Sequence, residues 1–496
     1  MNEILDGETA THGLSVKGFW LWLAGILCVG LAIRYALAFV PLQILGGQGV
    51  NNYGFSWDLS TFADWMFTIK AAGFEAFHVD PSINYPPVFA DILAALIWIG
   101  DILSGGNPTS AQRIAIGLLK MPAIVADLGI AFTVAYAGRK WFSAKAGLWA
   151  AGLYVLIPVT WYDSAVWGQV DSISALFMLL AVLLIVGRKP EWSALLLVIA
   201  ILTKPQGMLA AIVITPIFIG LLIKNDLKFW RIASTLGATL LSFAVLATPW
   251  NLRSYNSDGW ANVPVLGDAT GLWIQFKSTA GLFPVLTANA FNPWALVGEG
   301  PLAPQFKLNM AAWSLDNIQI LGLQANFIGN VLFLLSASLV FCILVRKPNV
   351  LNAFSGFAVV LVAFYDLPTR VHERYLVQAF AVLCLIWATK WWERVALFLL
   401  SAANALNLHA ILANGLNVIF PTMPPSSDSV FQHHGQSPDY YGISGVPFEA
   451  GFVRDTWLVY LVIAIQFAAF LYLIWNFINS NRDVLKTKSK KISLTT

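Results

Sequence analysis

Five short stretches of this chain carry polar chemistry that an otherwise apolar sequence does not need. The first reads Trp57-Asp58-Leu59-Ser60-Thr61-Phe62-Ala63-Asp64-Trp65, continuing through Gly73-Phe74-Glu75-Ala76-Phe77-His78-Val79-Asp80 to Asn84-Tyr85-Pro86-Pro87. Phe62, Trp65, Phe67 and Ile69 are spaced for a short amphipathic helix on a membrane surface, which makes Asp58 a natural N-cap. A carboxylate fixed at the water–lipid boundary is also what a general base needs to take a proton from a hydroxyl. The second stretch, Trp161-Tyr162-Asp163-Ser164 with Trp167-Gly168-Gln169-Val170-Asp171-Ser172, again offers an N-cap in Asp171. It also sets Trp167 and Gln169 where either an interfacial belt or a sugar platform would use them. In the third, Thr203-Lys204-Pro205-Gln206-Gly207, proline pins a lysine that could otherwise snorkel, and a fixed ammonium suits a phosphate.

The fourth packs Asp366, Arg370, His372, Glu373 and Arg374 into one short connection. Structural pairing of Arg370 with Asp366 and of Arg374 with Glu373 is one reading. The other is an anion site, because guanidinium groups match phosphate oxygens with paired donors. A second histidine is missing from His372-Glu373, so zinc hydrolysis of the HExxH type is not supported. The fifth, Thr287-Ala288-Asn289-Ala290-Phe291-Asn292-Pro293-Trp294, offers amides and an aromatic face for a sugar or for loop packing. Phosphate-cradling glycine loops and a Ser-His-Asp arrangement are not found, and His409, His433 and His434 have no ligand spacing.

The elements that hold these stretches must be membrane helices. Of 496 residues 58% are hydrophobic and only 11% charged, with a mean hydropathy of +0.70, whereas a soluble domain carries about 25% charged residues. A net charge of +3 gives no case for nucleic acid. Cys28, Cys342 and Cys384 all lie in apolar runs, which excludes a disulfide framework. Runs suited to spanning fall near 18–41, 113–137, 146–161, 171–187, 192–203, 207–223, 231–249, 319–345, 350–366, 375–389, 395–413 and 456–478. The stretch 86–103 is ambiguous. Basic clusters at Arg139/Lys140/Lys145, Arg188/Lys189, Lys224/Lys228/Arg231, Arg346/Lys347, Lys390/Arg394 and 482–491 mark the cytoplasmic connections. Counting 86–103 as a span would put Arg139-Lys140 outside, so it reads as a non-spanning helix, in keeping with Asp91 and Asp101.

The resulting expectation is an all-α polytopic protein of about twelve spans: a cytoplasmic segment 1–17, one transmembrane domain 18–479 and a basic tail 480–496. Both termini lie inside, and large external loops fall at 42–112, 250–318 and 413–455. On this topology the cytoplasmic segments hold 18 of the 29 Lys and Arg, and the external ones 18 of the 26 Asp and Glu. All five motifs fall on the acidic external face.

Taken in order, the motifs resemble the GT-C superfamily of membrane glycosyltransferases that use polyprenyl-phosphate sugars, and most nearly bacterial proteins related to the second GPI mannosyltransferase. The similarity covers about residues 15–380. It runs through Asp58, Phe62, Trp65, Gly73, Phe77 and Tyr85-Pro86-Pro87, then Trp167-Gly168-Gln169-Val170-Asp171, Lys204-Pro205-Gln206, Asn289 to Trp294, and His372-Glu373-Arg374-Tyr375. Asn84 stands where relatives often carry an acidic residue, and Phe77-His78 replaces a commoner Phe-Tyr; both departures bear on the sugar or the acceptor. The resemblance implies a GT-C-like bundle with interfacial helices in its first external loop. It implies an inverting transfer of a hexose, mannose by this likeness, from a polyprenyl-phosphate donor to a lipid-linked or cell-envelope glycan acceptor. Asp58 would be the base, and Lys204, His372 and Arg374 would hold the phosphate. Trp65, Tyr85, Asp163, Gln169, Asp171, Gln206, Asn289, Asn292, Arg370 and Glu373 would contact sugar or acceptor. No obligatory cofactor or metal is expected, and the location expected is a bacterial plasma membrane with the site facing outside. The rival is a twelve-span transporter or flippase. Transporters place their polar groups at the midplane, whereas here only Arg34, Lys120 and Asp127 lie within spans.

Overall fold

The computed structural model of the protein describes residues 14–39, 54–255, 262–297, 315–387, 389, 391–414 and 456–486. Most of the expected third external loop, and the ends of the chain, lie outside the described residues.

The fold is an all-α polytopic membrane bundle. Its longer helices are α1 (Val16–Phe39), α2 (Ser56–Ala72), α3 (Pro87–Leu103), α4 (Pro108–Gly117), α5 (Met121–Trp141), α6 (Ala144–Leu156), α7 (Asp171–Val186), α8 (Pro190–Thr203), α9 (Ala211–Ile223), α10 (Arg231–Leu246), α11 (Leu266–Gly281), α12 (Ala325–Arg346), α13 (Val350–Asp366), α14 (Ala379–Ile386), α15 (Trp391–Asn414) and α16 (Thr456–Ser480). A two-residue hairpin, β1 (Gln319–Ile320) with β2 (Leu323–Gln324), leads into α12. Each of the twelve apolar runs contains one of these helices. Among the described residues seven helical stretches are long and apolar enough to cross a bilayer: α1, 108–141, 205–223, 231–250, α12, 391–412 and 457–480. α6, α7, α8 and α13 are shorter. α7 and α13 are largely surrounded by protein, where short or broken helices are tolerated at membrane depth.

Local chemistry sets the boundaries. Pro87, Pro108 and Pro190 open α3, α4 and α8, since proline at the first position sacrifices no helical bond. Asn107, Ser143 and Asn349 cap α4, α6 and α13 through bonds from the amides of Ser110, Ala146 and Asn352. Asp58 and Asp171 cap nothing. α2 starts after Phe55 and α7 after Val170, neither with a side-chain cap, so the capping reading of both aspartates is corrected. Their carboxylates turn away to other partners.

Two large apolar clusters make up most of the interior described, beside two small ones. The larger is built on α5–α7, α13 and α14 with Trp167, and the smaller on α2–α4 with Val170, Ile173, Val198, Leu202 and Trp250. α3 packs within the smaller cluster. Its Asp91 accepts from Trp250 Nε1 at 3.0 Å, and Asp101 pairs with Lys70 at 2.6 Å among exposed side chains.

Two of the charges inside the bundle, Arg34 and Asp127, engage one another. Arg34 donates to Asp127 at 2.6 Å, to Thr160 and to the carbonyls of Gly30 and Val155, while Tyr154 and Ser164 also donate to Asp127. Such a network ties α1, α5 and α6 to the chain that follows α6.

Candidate active site

That chain builds the floor of the site. α6 ends at Leu156, ahead of Pro158; a short turn follows, then one wide π turn over Tyr162–Trp167, left through Gly168 at φ +92°. The left-handed backbone favours glycine, and a Cβ there would meet Leu59 Cδ2 at 2.7 Å. π turns disturb the regular helical bonding and recur at functional sites. Lys120, buried, donates to the carbonyls of Ala165 at 2.9 Å and Val166 at 3.3 Å. Phe55 N donates to Trp167 O at 3.1 Å, docking the start of α2 on the turn.

This docking brings the first and second motifs together. Trp167, with no exposed surface, donates its indole N–H to Asp58 Oδ2 at 2.8 Å, and Gln169 Nε2 donates to the same oxygen at 2.6 Å. Among the described residues no hydrogen bond engages Asp58 Oδ1. Tyr85 donates to Gln169 Oε1 at 3.5 Å.

The third and fourth motifs meet at Asp171. Lys204 leaves α8 in extended backbone ahead of Pro205, and its Nζ lies 2.7 Å from Asp171 Oδ1 and over the rings of Tyr85 and Tyr375. Gln378 donates to the same Asp171 oxygen at 3.3 Å, and Arg374 Nε is 4.0 Å from Oδ2. Arg374 also donates to Glu373 Oε1 at 2.8 Å, and its guanidinium carbon sits 6.0 Å from the centroid of the Trp167 ring. Asn404 holds the Glu373 carbonyl at 2.8 Å.

Burial and charge set the protonation states. Burial opposes the charge on Lys204 and on Arg374, but Asp171 beside the first, and Asp58 with Glu373 beside the second, outweigh it and hold both above their ordinary ranges. His372 behaves differently: burial, then Arg374 and Lys204, push its imidazole well below the usual histidine range, so in this cluster it is neutral. Its ring packs edge-on against Phe283 at 4.8 Å, and Nδ1 lies 4.0 Å from Glu373 Oε2. Burial raises the Glu373 carboxyl. Burial and then Asp171 raise that of Asp163 far more, and both Asp163 oxygens are enclosed with no donor among the described residues.

Other sequence candidates lie elsewhere. Arg370 pairs with Asp316 at 2.6 Å, not with Asp366, and donates to Ala280 O at 2.9 Å; it fastens the 250–318 loop to the fourth motif. Trp65 is 3% exposed, packed among Phe62, Tyr85 and Phe89 within the smaller cluster. Asn292 donates to Tyr365 O at 3.0 Å, Trp294 to Leu367 O at 2.7 Å, and Asn407 to the carbonyl of Asn289 at 2.9 Å. These bonds pack the loop, and Asn289 Oδ1, Asn292 Oδ1 and Gln206 Oε1 are buried without a donor among the described residues. Gln378 and Lys120 are the residues missed as site components. The lone amide one helical turn beyond Arg374, within an apolar run, was the legible signal for Gln378.

No protein-family model matches the chain, and no curated protein matches it. Among solved structures, ArnT from Cupriavidus metallidurans bound to undecaprenyl phosphate aligns with 94% of this chain and 79% of its own, at 14% identity and a TM-score of 0.45. The apo oligosaccharyltransferase of Archaeoglobus fulgidus aligns with 92% of this chain at 13% identity and a TM-score of 0.43. AglB of the same organism, in complex with an inhibitory peptide and a dolichol-phosphate, gives 92%, 13% and 0.39. This chain spans 56% of the length of each of the last two.

Proposed function

We propose that the protein is an inverting membrane glycosyltransferase that moves a hexose, mannose by its sequence likeness, from a polyprenyl-phosphate donor to a hydroxyl of a lipid-linked or envelope glycan. The observation that carries this reading is the shared indole of Trp167. Its N–H holds the Asp58 carboxylate while the Arg374 guanidinium lies over its ring, so a base and a phosphate-binding cation flank one side chain.

The chemistry follows from that spacing. The donor phosphate sits against Lys204 and Arg374, and its lipid tail lies in the bilayer. The acceptor oxygen attacks the anomeric carbon from the face opposite the phosphate. As the new C–O bond forms, the old one breaks and its electron pair goes to the phosphate oxygen. The acceptor proton goes to Asp58 Oδ1, because Oδ2 already accepts from Trp167 and Gln169. Fixed positive charge where leaving-group charge develops is usually the largest catalytic contribution. Lys204 and Arg374 together can match a phosphate monoester of about two charges. Asp171, bonded to Lys204 and Gln378, holds these cations in place. No step is routed through a metal. The site faces outside, with both termini in the cytoplasm of a bacterial cell.

The test is a panel of polyprenyl-phosphate mannose, glucose, galactose and arabinose with the purified protein. Radiolabelled sugar should appear on an acceptor without movement of the donor across a vesicle membrane. Movement without transfer would favour the transporter reading and sink this one.

A further inference from the structure

A pocket lies far from the five motifs. It is a cavity of about 420 Å³ at the Val350 end of α13, whereas the candidate active site lies beyond the Asp366 end. A helix of 17 residues separates the two by about 25 Å. The walls come from the ends of α5, α13, α15 and α16, and its size falls within the usual range of small-ligand sites.

The lining sorts by polarity. Trp141 and Trp392 contribute indoles, and Lys347 contributes an ammonium that is partly exposed and pairs with Asp483 at 3.1 Å. Deeper groups are acceptors. Ser355, 4% exposed, donates its proton to the Glu393 carboxylate at 2.8 Å, so the hydroxyl offers the cavity its lone pairs. Glu393 is itself fully buried and also accepts from Thr389. Asn481, with no exposed surface, gives its N–H to Phe477 O and leaves Oδ1 without a donor among the described residues. The rim is basic: Lys140 lies over the Trp141 ring at 4.8 Å, and Arg346 donates to Val484 O.

We infer that this pocket binds a phospholipid headgroup that carries both a phosphate and an ammonium, of the ethanolamine type. The phosphate meets Lys347 at the rim. The ammonium enters past the indoles, which attract cations, toward the lone pairs of Ser355 and Asn481; the Glu393 carboxylate lies behind Ser355, which donates to it. A glycerol headgroup brings hydroxyl donors but no positive charge for that acidic depth. A choline headgroup brings charge but no N–H. This inference does not depend on the transfer reaction.

Native mass spectrometry of the full-length protein in detergent tests it, with dioleoyl phosphatidylethanolamine, phosphatidylglycerol or phosphatidylcholine added singly. The ethanolamine lipid should be retained about tenfold better than either of the others. Lys347→Ala, at a partly exposed position, should lower that retention about tenfold, as expected for loss of a charge-assisted hydrogen bond. Asn481→Asp should tighten the ethanolamine lipid and weaken the glycerol one. Equal retention of all three lipids, or no effect of Lys347→Ala, would overturn the assignment. Soluble O-phosphoethanolamine binding as tightly as the lipid would overturn the membrane origin of the ligand.

Discussion

The proposed base is defined less by its own residue type than by what occupies one of its two oxygens. Asp58 Oδ2 accepts from Trp167 and Gln169, which orients the carboxylate and leaves Oδ1 for a proton. Replacing Asp58 with Asn keeps the shape and removes the basicity, so turnover should fall roughly 10²–10⁴-fold while the melting temperature in detergent stays put. Near-normal turnover would remove Asp58 from the mechanism. Trp167→Phe deletes one hydrogen bond to a charged group and keeps a ring under Arg374; a loss of about tenfold or more in turnover is expected. At this scale the sequence was informative about residue type and poor on partnership. Asp58, Lys204 and Arg374 stood out as charges at an apolar boundary. That Arg370 would pair with Asp316 of the 250–318 loop, or that burial and then two neighbouring cations would disfavour charge on His372, depends on contacts between segments far apart in the chain.

At the scale of elements, the π turn over Tyr162–Trp167 is braced from below by Ser164 on the Arg34–Asp127 pair and from the side by Lys120. Asp127→Asn leaves Arg34 buried beside a neutral partner. Breaking a buried pair costs about 3–5 kcal/mol, so a large drop in melting temperature should accompany any loss of activity. Across the site, Asp91 ties α3 to Trp250, and burial pushes its carboxyl up to about 6 from the usual 3.8, with the Trp250 bond opposing. The folded protein then binds that proton more tightly than the unfolded chain does. Its contribution to stability is full below about pH 4 and is lost as the pH rises through 6. Asp91→Asn keeps an oxygen for the Trp250 indole, so it should abolish that slope and be the more stable form at pH 7; melts at pH 4, 5, 6 and 7 would show it. The apolar runs foretold nearly every helix, because hydropathy is a property of the local sequence. They did not foretell the break after Leu156 or the turn at Leu118–Lys120 that separates α4 from α5. There backbone geometry follows from what packs across the bundle.

For the molecule as a whole, the topology turns on whether α3 crosses the membrane. In a cysteine-free background an impermeant maleimide added to intact cells should label Thr109→Cys, in the first turn of α4, and spare Lys145→Cys, in the first turn of α6. Labelling at both positions, or the reverse pattern, would refute the side assignment. The proposed transfer should also persist after treatment with a chelator, since Lys204 and Arg374 are asked to meet the whole phosphate charge. The architecture has one more implication. Asp58 rides on the smaller apolar cluster, while Lys204 and Arg374 are held at the margin of the larger one. α5, α7 and α8 give side chains to both clusters, and Leu176 and Phe177 pack against both, so the seam between base and cations is riveted by continuous helices and stays put when either cluster is perturbed.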